Sequence, residues 1–90
     1  MEPRFEILYH PDVPRKDLPF ITAADQRRIR RAIEQKLAFS PQEFGAPLRH
    51  TLKGYWKLRV GDWRVIYKIQ GATITILRIG HRREVYGKAA

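Results

Sequence analysis

The chain has 90 residues, 18 Lys plus Arg against 9 Asp plus Glu, a formal net charge of +9 and no cysteine. That length suits one small domain spanning residues 1–90, since single cores usually need on the order of 50 to 200 residues. The missing cysteines exclude disulfides, thiolate nucleophiles and Cys-based zinc sites, and the basic excess favours a polyanionic partner.

Phe5, Ile7 and Tyr9 alternate with Arg4, Glu6 and Leu8, the period of a half-buried strand. Pro11, Pro14 and Pro19 then allow at most a short helix before Phe20. Thr22 with Asp25 resembles a capping box, and Ile29, Ile33 and Leu37 recur at helical spacing, which predicts a helix over 23–39. Its other faces carry Arg27, Arg28, Arg30, Arg31, Glu34 and Lys36, read as solvated charge. Ser40-Pro41 ends that helix and starts one further turn, which Gly45 and Pro47 break.

Three strands are expected next, over 55–60, 63–69 and 73–79, separated by Gly61-Asp62 and Gln70-Gly71-Ala72. Together these elements predict an α+β fold. A small antiparallel sheet, made of the N-terminal strand and a C-terminal meander, is covered on one face by one long and one or two short helices.

The two-residue loop Gly61-Asp62 sets the hairpin register. Val60 pairs with Trp63, Leu58 with Val65 and Trp56 with Tyr67 on an apolar face, while Arg59 opposes Arg64, Lys57 opposes Ile66 and Tyr55 opposes Lys68 on the other. Four cations thus share one side of the ribbon. Like charges directly opposed cost roughly 0.2 to 1 kcal/mol, so this pattern suits an absent anion better than stability alone. Strict alternation adds Thr75, Leu77 and Ile79 to the cationic face and puts Arg78 on the apolar one, unless a bulge reassigns it. The charge is also lopsided: residues 1–48 hold 8 basic and 7 acidic side chains, whereas 49–90 hold 10 basic ones against Asp62 and Glu84.

The segments Leu52-Lys53-Gly54-Tyr55-Trp56-Lys57-Leu58-Arg59-Val60-Gly61-Asp62-Trp63-Arg64-Val65-Ile66-Tyr67 and Ile79-Gly80-His81-Arg82-Arg83-Glu84-Val85-Tyr86 resemble the RelE/ParE toxin superfamily, and within it RelE. The resemblance implies a cytoplasmic toxin of a type II toxin–antitoxin pair that inhibits translation by cleaving messenger RNA in the ribosomal A site. In that chemistry the RNA's own 2′-hydroxyl attacks phosphorus, without cofactor or metal. It implies catalytic roles for Lys57, Arg64, Arg82 and Tyr86, with His81 as a second candidate for the base, and RNA contacts from Arg59, Lys68, Arg83 and Lys53. It departs from the RelE pattern at Tyr55, where RelE carries a second lysine. A short acidic antitoxin is the implied protein partner, and no membrane partner is implied. The alternatives on the same fold are a ParE-like gyrase inhibitor and an inactive nucleic-acid-binding protein.

Overall fold

A computed structural model describes residues 4–48 and 54–83. Five strands, β1 (Glu6–Tyr9), β2 (Ala46–Pro47), β3 (Tyr55–Val60), β4 (Trp63–Gln70) and β5 (Thr73–His81), form one sheet in the order β1-β5-β4-β3-β2. β1 runs parallel to β5, with Ile7 beside Ile74, so the sheet is mixed where a wholly antiparallel one was expected. Alternation identifies a strand but carries no direction. The helices that separate β1 from the meander return the chain so that the two strands point the same way. β2 is a two-residue edge pair, Ala46 with Lys57 and Pro47 with Trp56, a place where proline's missing donor does no harm.

The β3–β4 hairpin has the predicted register throughout, including Arg59 opposite Arg64, and Gly61 turns it at φ +60°. Between β4 and β5 the register slips: Tyr67 pairs with Ile76 but Ile66 pairs with Arg78, leaving Leu77 as the extra residue of a bulge. The bulge corrects the expected parity. Ile79, opposite Val65, joins the core at 3% exposure, and Arg78 moves to the cationic face beside Ile66. Thr75 stays on that face, opposite Lys68. β5 also runs to His81, bringing Gly80 and His81 into the strand.

The helical layer covers the opposite face. After a wide turn at Val13–Asp17 and a tight one at Leu18–Phe20 comes α1 (Ala23–Ala32), which continues through a π-type turn at Ile33–Leu37; α2 is Pro41–Phe44. The predicted Thr22 cap forms, its hydroxyl accepting from the Asp25 amide at 3.2 Å. The Asp25 carboxylate instead accepts from the Trp63 indole at 3.2 Å, tying the start of α1 to β4. Ile29, Ile33 and Leu37 are buried against Leu58, Val65, Ile74 and Ile76, each such side chain stabilising the fold by roughly 1.5–3 kcal/mol. Asp17 accepts from the Ile79 amide at 2.8 Å, satisfying β5 beyond the end of β1. Among the described residues no helix is long and apolar enough to cross a membrane.

Tyr67 fastens α2 to the sheet. Its fully buried hydroxyl donates to the Pro41 carbonyl at 2.6 Å, and the Gly45 amide donates to the same oxygen at 3.2 Å. A Cβ on Gly45 would collide with that hydroxyl, so glycine is required here by close approach. Burial pushes the Tyr67 pKa above the ordinary tyrosine value of 10.0. A raised folded pKa favours the neutral phenol, so this contribution is complete below the unfolded value and is lost as pH rises toward the folded one. Tyr67→Phe is therefore expected to cost about 0.5–1.5 kcal/mol near neutrality, the contribution of one hydrogen bond, since the Pro41 carbonyl keeps the Gly45 amide. In denaturant titrations the gap to wild type should narrow above about pH 10; a constant gap would assign the loss to packing.

Candidate functional site

The other face of the sheet, which none of the helices above covers among the described residues, presents its cations in rows set by strand pairing. Lys57, Ile66 and Arg78 form one row, Arg59, Arg64 and Gly80 the next, and Tyr55, Lys68 and Thr75 another. Opposed side chains in such rows start about 4.5–5.5 Å apart, and rows on one face repeat about every 6.6–6.8 Å. Lys57, Arg59, Arg64 and Arg78 are therefore close enough to surround one phosphodiester. Those two rows contain no carboxylate among the described residues. Nor do any three His, Asp or Glu side chains among the described residues form a group that could hold a metal ion.

Arg64 differs from the sequence expectation of an exposed cation. It is only 6% exposed, and its Nη1 donates to the carbonyls of Gly61 at 2.8 Å and Trp63 at 2.9 Å. Gly80 sits opposite it and brings no side chain to compete for the space. Hydrogen bonds from a charged donor contribute about 1.5–3 kcal/mol each, against roughly 0.2–1 kcal/mol for an opposed like charge. The carbonyls therefore outweigh the repulsion from Arg59. The guanidinium is fixed by the turn before any ligand arrives, the kind of prior order that lets a cation stabilise a short-lived anion.

The remaining candidates are distributed unevenly. Arg59 is exposed on the turn side of the face, and Lys57 is half-buried in the adjacent row. Lys68 holds its ammonium 5.8 Å from the centroid of the Tyr55 ring, a cation–π contact across the β3–β4 ladder. His81 pairs with Trp63, and the rings meet edge to face with centroids 5.6 Å apart at 83°. Trp63 alternates with Val65 relative to Arg64, so that pairing puts His81 on the side of α1 rather than with Lys57. The His81 Nδ1 accepts from the Arg83 amide at 3.3 Å. Arg82 and Arg83 are exposed beyond β5, and the Arg82 amide donates to the Asp62 carbonyl at 2.8 Å, holding this segment beside the β3–β4 turn. Lys53 and Tyr86 lie outside the described residues.

Arg78 is the cation that strict alternation misplaces. The available signal is the charge itself, because an arginine at an apolar parity within Ile74, Ile76 and Ile79 marks a shift of register.

Comparison with known proteins gives concordant matches. Residues 9–86 match the family model of the ParE toxin of type II toxin–antitoxin systems. Toxin RelG of Mycobacterium tuberculosis is 38% identical over 52 residues, which cover 56% of this chain and 60% of that toxin's length. The RelBE2 toxin–antitoxin complex from the same organism contains a chain that aligns with TM-score 0.81 at 27% identity, covering 88% of this chain and 99% of the matched one. The archaeal RelE–RelB complex of Pyrococcus horikoshii OT3 aligns with TM-score 0.69 at 26% identity, over 88% of this chain and 96% of the other.

Proposed function

The chain belongs to the ParE toxin family of type II toxin–antitoxin systems, and we propose that it acts as a ribosome-dependent endoribonuclease that cuts messenger RNA in the A site. The observation that carries this reading is Arg64, an arginine anchored by two turn carbonyls amid Lys57, Arg59 and Arg78 on one open sheet face.

The reaction requires three things of the protein. The 2′-oxygen must lose its proton as it attacks phosphorus, the phosphorane must be stabilised, and the departing 5′-oxygen must gain a proton as the P–O bond breaks. Lys57 is assigned the first role and Arg64 the second. Arg82 assists the leaving oxygen, and Tyr86 orients the splayed nucleotide. Arg59, Lys68, Arg83 and Lys53 hold flanking phosphates. Tyr55 stands where the resemblance to RelE places a second lysine, and Lys68 brings an ammonium to its ring from the neighbouring strand. That contact supports a cationic environment at this row despite the tyrosine.

A cognate antitoxin fits as the protein partner. The matched solved structures include toxin–antitoxin complexes, and a net charge of +9 favours an acidic segment by complementarity. The second reading is the ParE-like one, inhibition of gyrase by binding alone on the same fold, and the match to the ParE toxin family favours it. Purified protein is expected to cut a message on programmed ribosomes, to leave naked message largely intact and to spare gyrase supercoiling. Gyrase inhibition without cleavage would replace the first reading with the second.

A further inference from the structure

The arginines of α1 are exposed, as their sequence pattern predicts, but one flank of the helix gathers them beside the hairpin turn. Positions 28, 31, 32, 35 and 36 fall on a single side at 100° per residue. That side closes against Arg59, Val60 and Gly61 around a cleft of about 250 Å³, walled by Arg28, Arg31, Gln35, Lys36 and Arg59. The lining contains four cations and an amide, without a carboxylate. Arg28, Arg31 and Arg59 make no ion pair among the described residues. Like charges one turn apart cost a helix a few tenths of a kcal/mol per pair, so helix stability does not explain their convergence.

From this geometry we infer that the cleft between α1 and the β3–β4 turn is a second phosphodiester site, which grips the backbone of a structured RNA while the sheet face acts on the message. This site rests on the reading above for its biological context and has its own geometry. Gly61 joins the two surfaces. The Arg28 guanidinium lies across it, so close that a Cβ there would stand 3.1 Å from both terminal nitrogens, while the Gly61 carbonyl accepts from Arg64. Arg59 lines the cleft and also stands in the row of Arg64. The cationic surface therefore continues from Arg78 around the edge of the sheet to Lys36. Phe44 extends it with a half-exposed ring 5.7 Å from the Lys36 ammonium, a side chain on which a base can stack.

An acidic amphipathic peptide is the competing occupant, and the lining disfavours it. Ala32 and Val60 are the apolar side chains here, too little surface to bury the apolar face of a helix. Such a face finds a better fit on the opposite flank of α1, where Tyr9, Pro14, Leu18, Ile29, Ile33 and Ile79 line a larger cleft of about 460 Å³. Guanidinium groups match phosphate oxygens in geometry as well as charge.

The test compares wild type with the Arg28→Ala/Arg31→Ala double variant, both changes placing a strong helix former on α1. Binding is measured across a salt series to a short RNA duplex and to ribosomes whose message carries a 2′-O-methyl group at the A site, which blocks cleavage. Loss of two phosphate contacts should reduce the slope of log K against log salt by about 1.4–1.8. Cleavage of unmodified message at saturating ribosomes and antitoxin affinity should stay at wild-type values. Arg28→Lys/Arg31→Lys should recover most of the slope, which separates charge from helix packing. An unchanged slope overturns the site, as does an unchanged slope joined to weaker antitoxin binding, which would give the cleft to the antitoxin. Should wild type prove unable to cut RNA while the slope still falls in the double variant, the cleft stands and the nuclease reading fails.

Discussion

Arg64→Ala is expected to slow single-turnover cleavage on programmed ribosomes by about 10²–10³-fold, the usual cost of removing one prepositioned donor from a developing oxyanion. Sequence reasoning alone expects the fold to stay intact, because the substitution relieves repulsion with Arg59. The structure changes that expectation. Nη1 holds the carbonyls of Gly61 and Trp63 at 2.8 and 2.9 Å, and the side chain is nearly buried. Truncation removes both bonds at the hairpin turn, so stability should also fall, by about 1.5–3 kcal/mol per bond less the roughly 0.2–1 kcal/mol of relieved repulsion. The two losses separate experimentally, since rates can be read at a temperature where the variant is still folded by circular dichroism. Arg64→Lys keeps the charge but loses the fork, and should recover stability better than rate. A folded Arg64→Ala protein that cuts at the wild-type rate, or arrests growth at equal expression, would remove Arg64 from the chemistry.

The second large effect concerns the base. Lys57 stands on the outer face in the row of Ile66 and Arg78, one row from Arg64. His81 packs edge to face on Trp63, whose indole is held by Asp25 of α1. Lys57→Ala should therefore lower the single-turnover rate by about 10²–10⁴-fold, the range for a lost general base. Ribosome binding should change little. His81→Ala should leave the rate within a few-fold and cost about 0.5–1.5 kcal/mol of stability through the lost aromatic pair. Profiles from about pH 5 to about 9 for both variants decide the matter. Collapse of His81→Ala with a near wild-type profile for Lys57→Ala would exchange their roles, and near wild-type rates for both would leave catalysis to the positioning of the RNA.

Much of this architecture was legible where local chemistry is decisive. Gly61-Asp62 sets a two-residue turn, and with it the pairing of Arg59 with Arg64 and Tyr55 with Lys68. Thr22 marks the start of α1, and Ile29, Ile33 and Leu37 mark its buried stripe. What escaped depends on contacts distant in sequence. The direction of β1 is set by the chain's return path. The bulge at Leu77 trades one pairing step for the burial of Ile79 and the release of Arg78. Arg64 folds over its own turn with Gly80, sixteen positions later, opposite it. His81 takes the helix side of the sheet because β5 runs two residues further than its apolar pattern indicates. The arginines of α1 look like ordinary surface charge until the hairpin turn is placed against them.

Cleavage by the RNA's own 2′-hydroxyl is tested most directly by analysing the ends of a message cut on programmed ribosomes. A 2′,3′-cyclic phosphate and a 5′-hydroxyl are expected, with no product from a message carrying a 2′-O-methyl group at the cleaved nucleotide. Ends bearing a 5′-phosphate, or cutting that survives the 2′-O-methyl group, would contradict it.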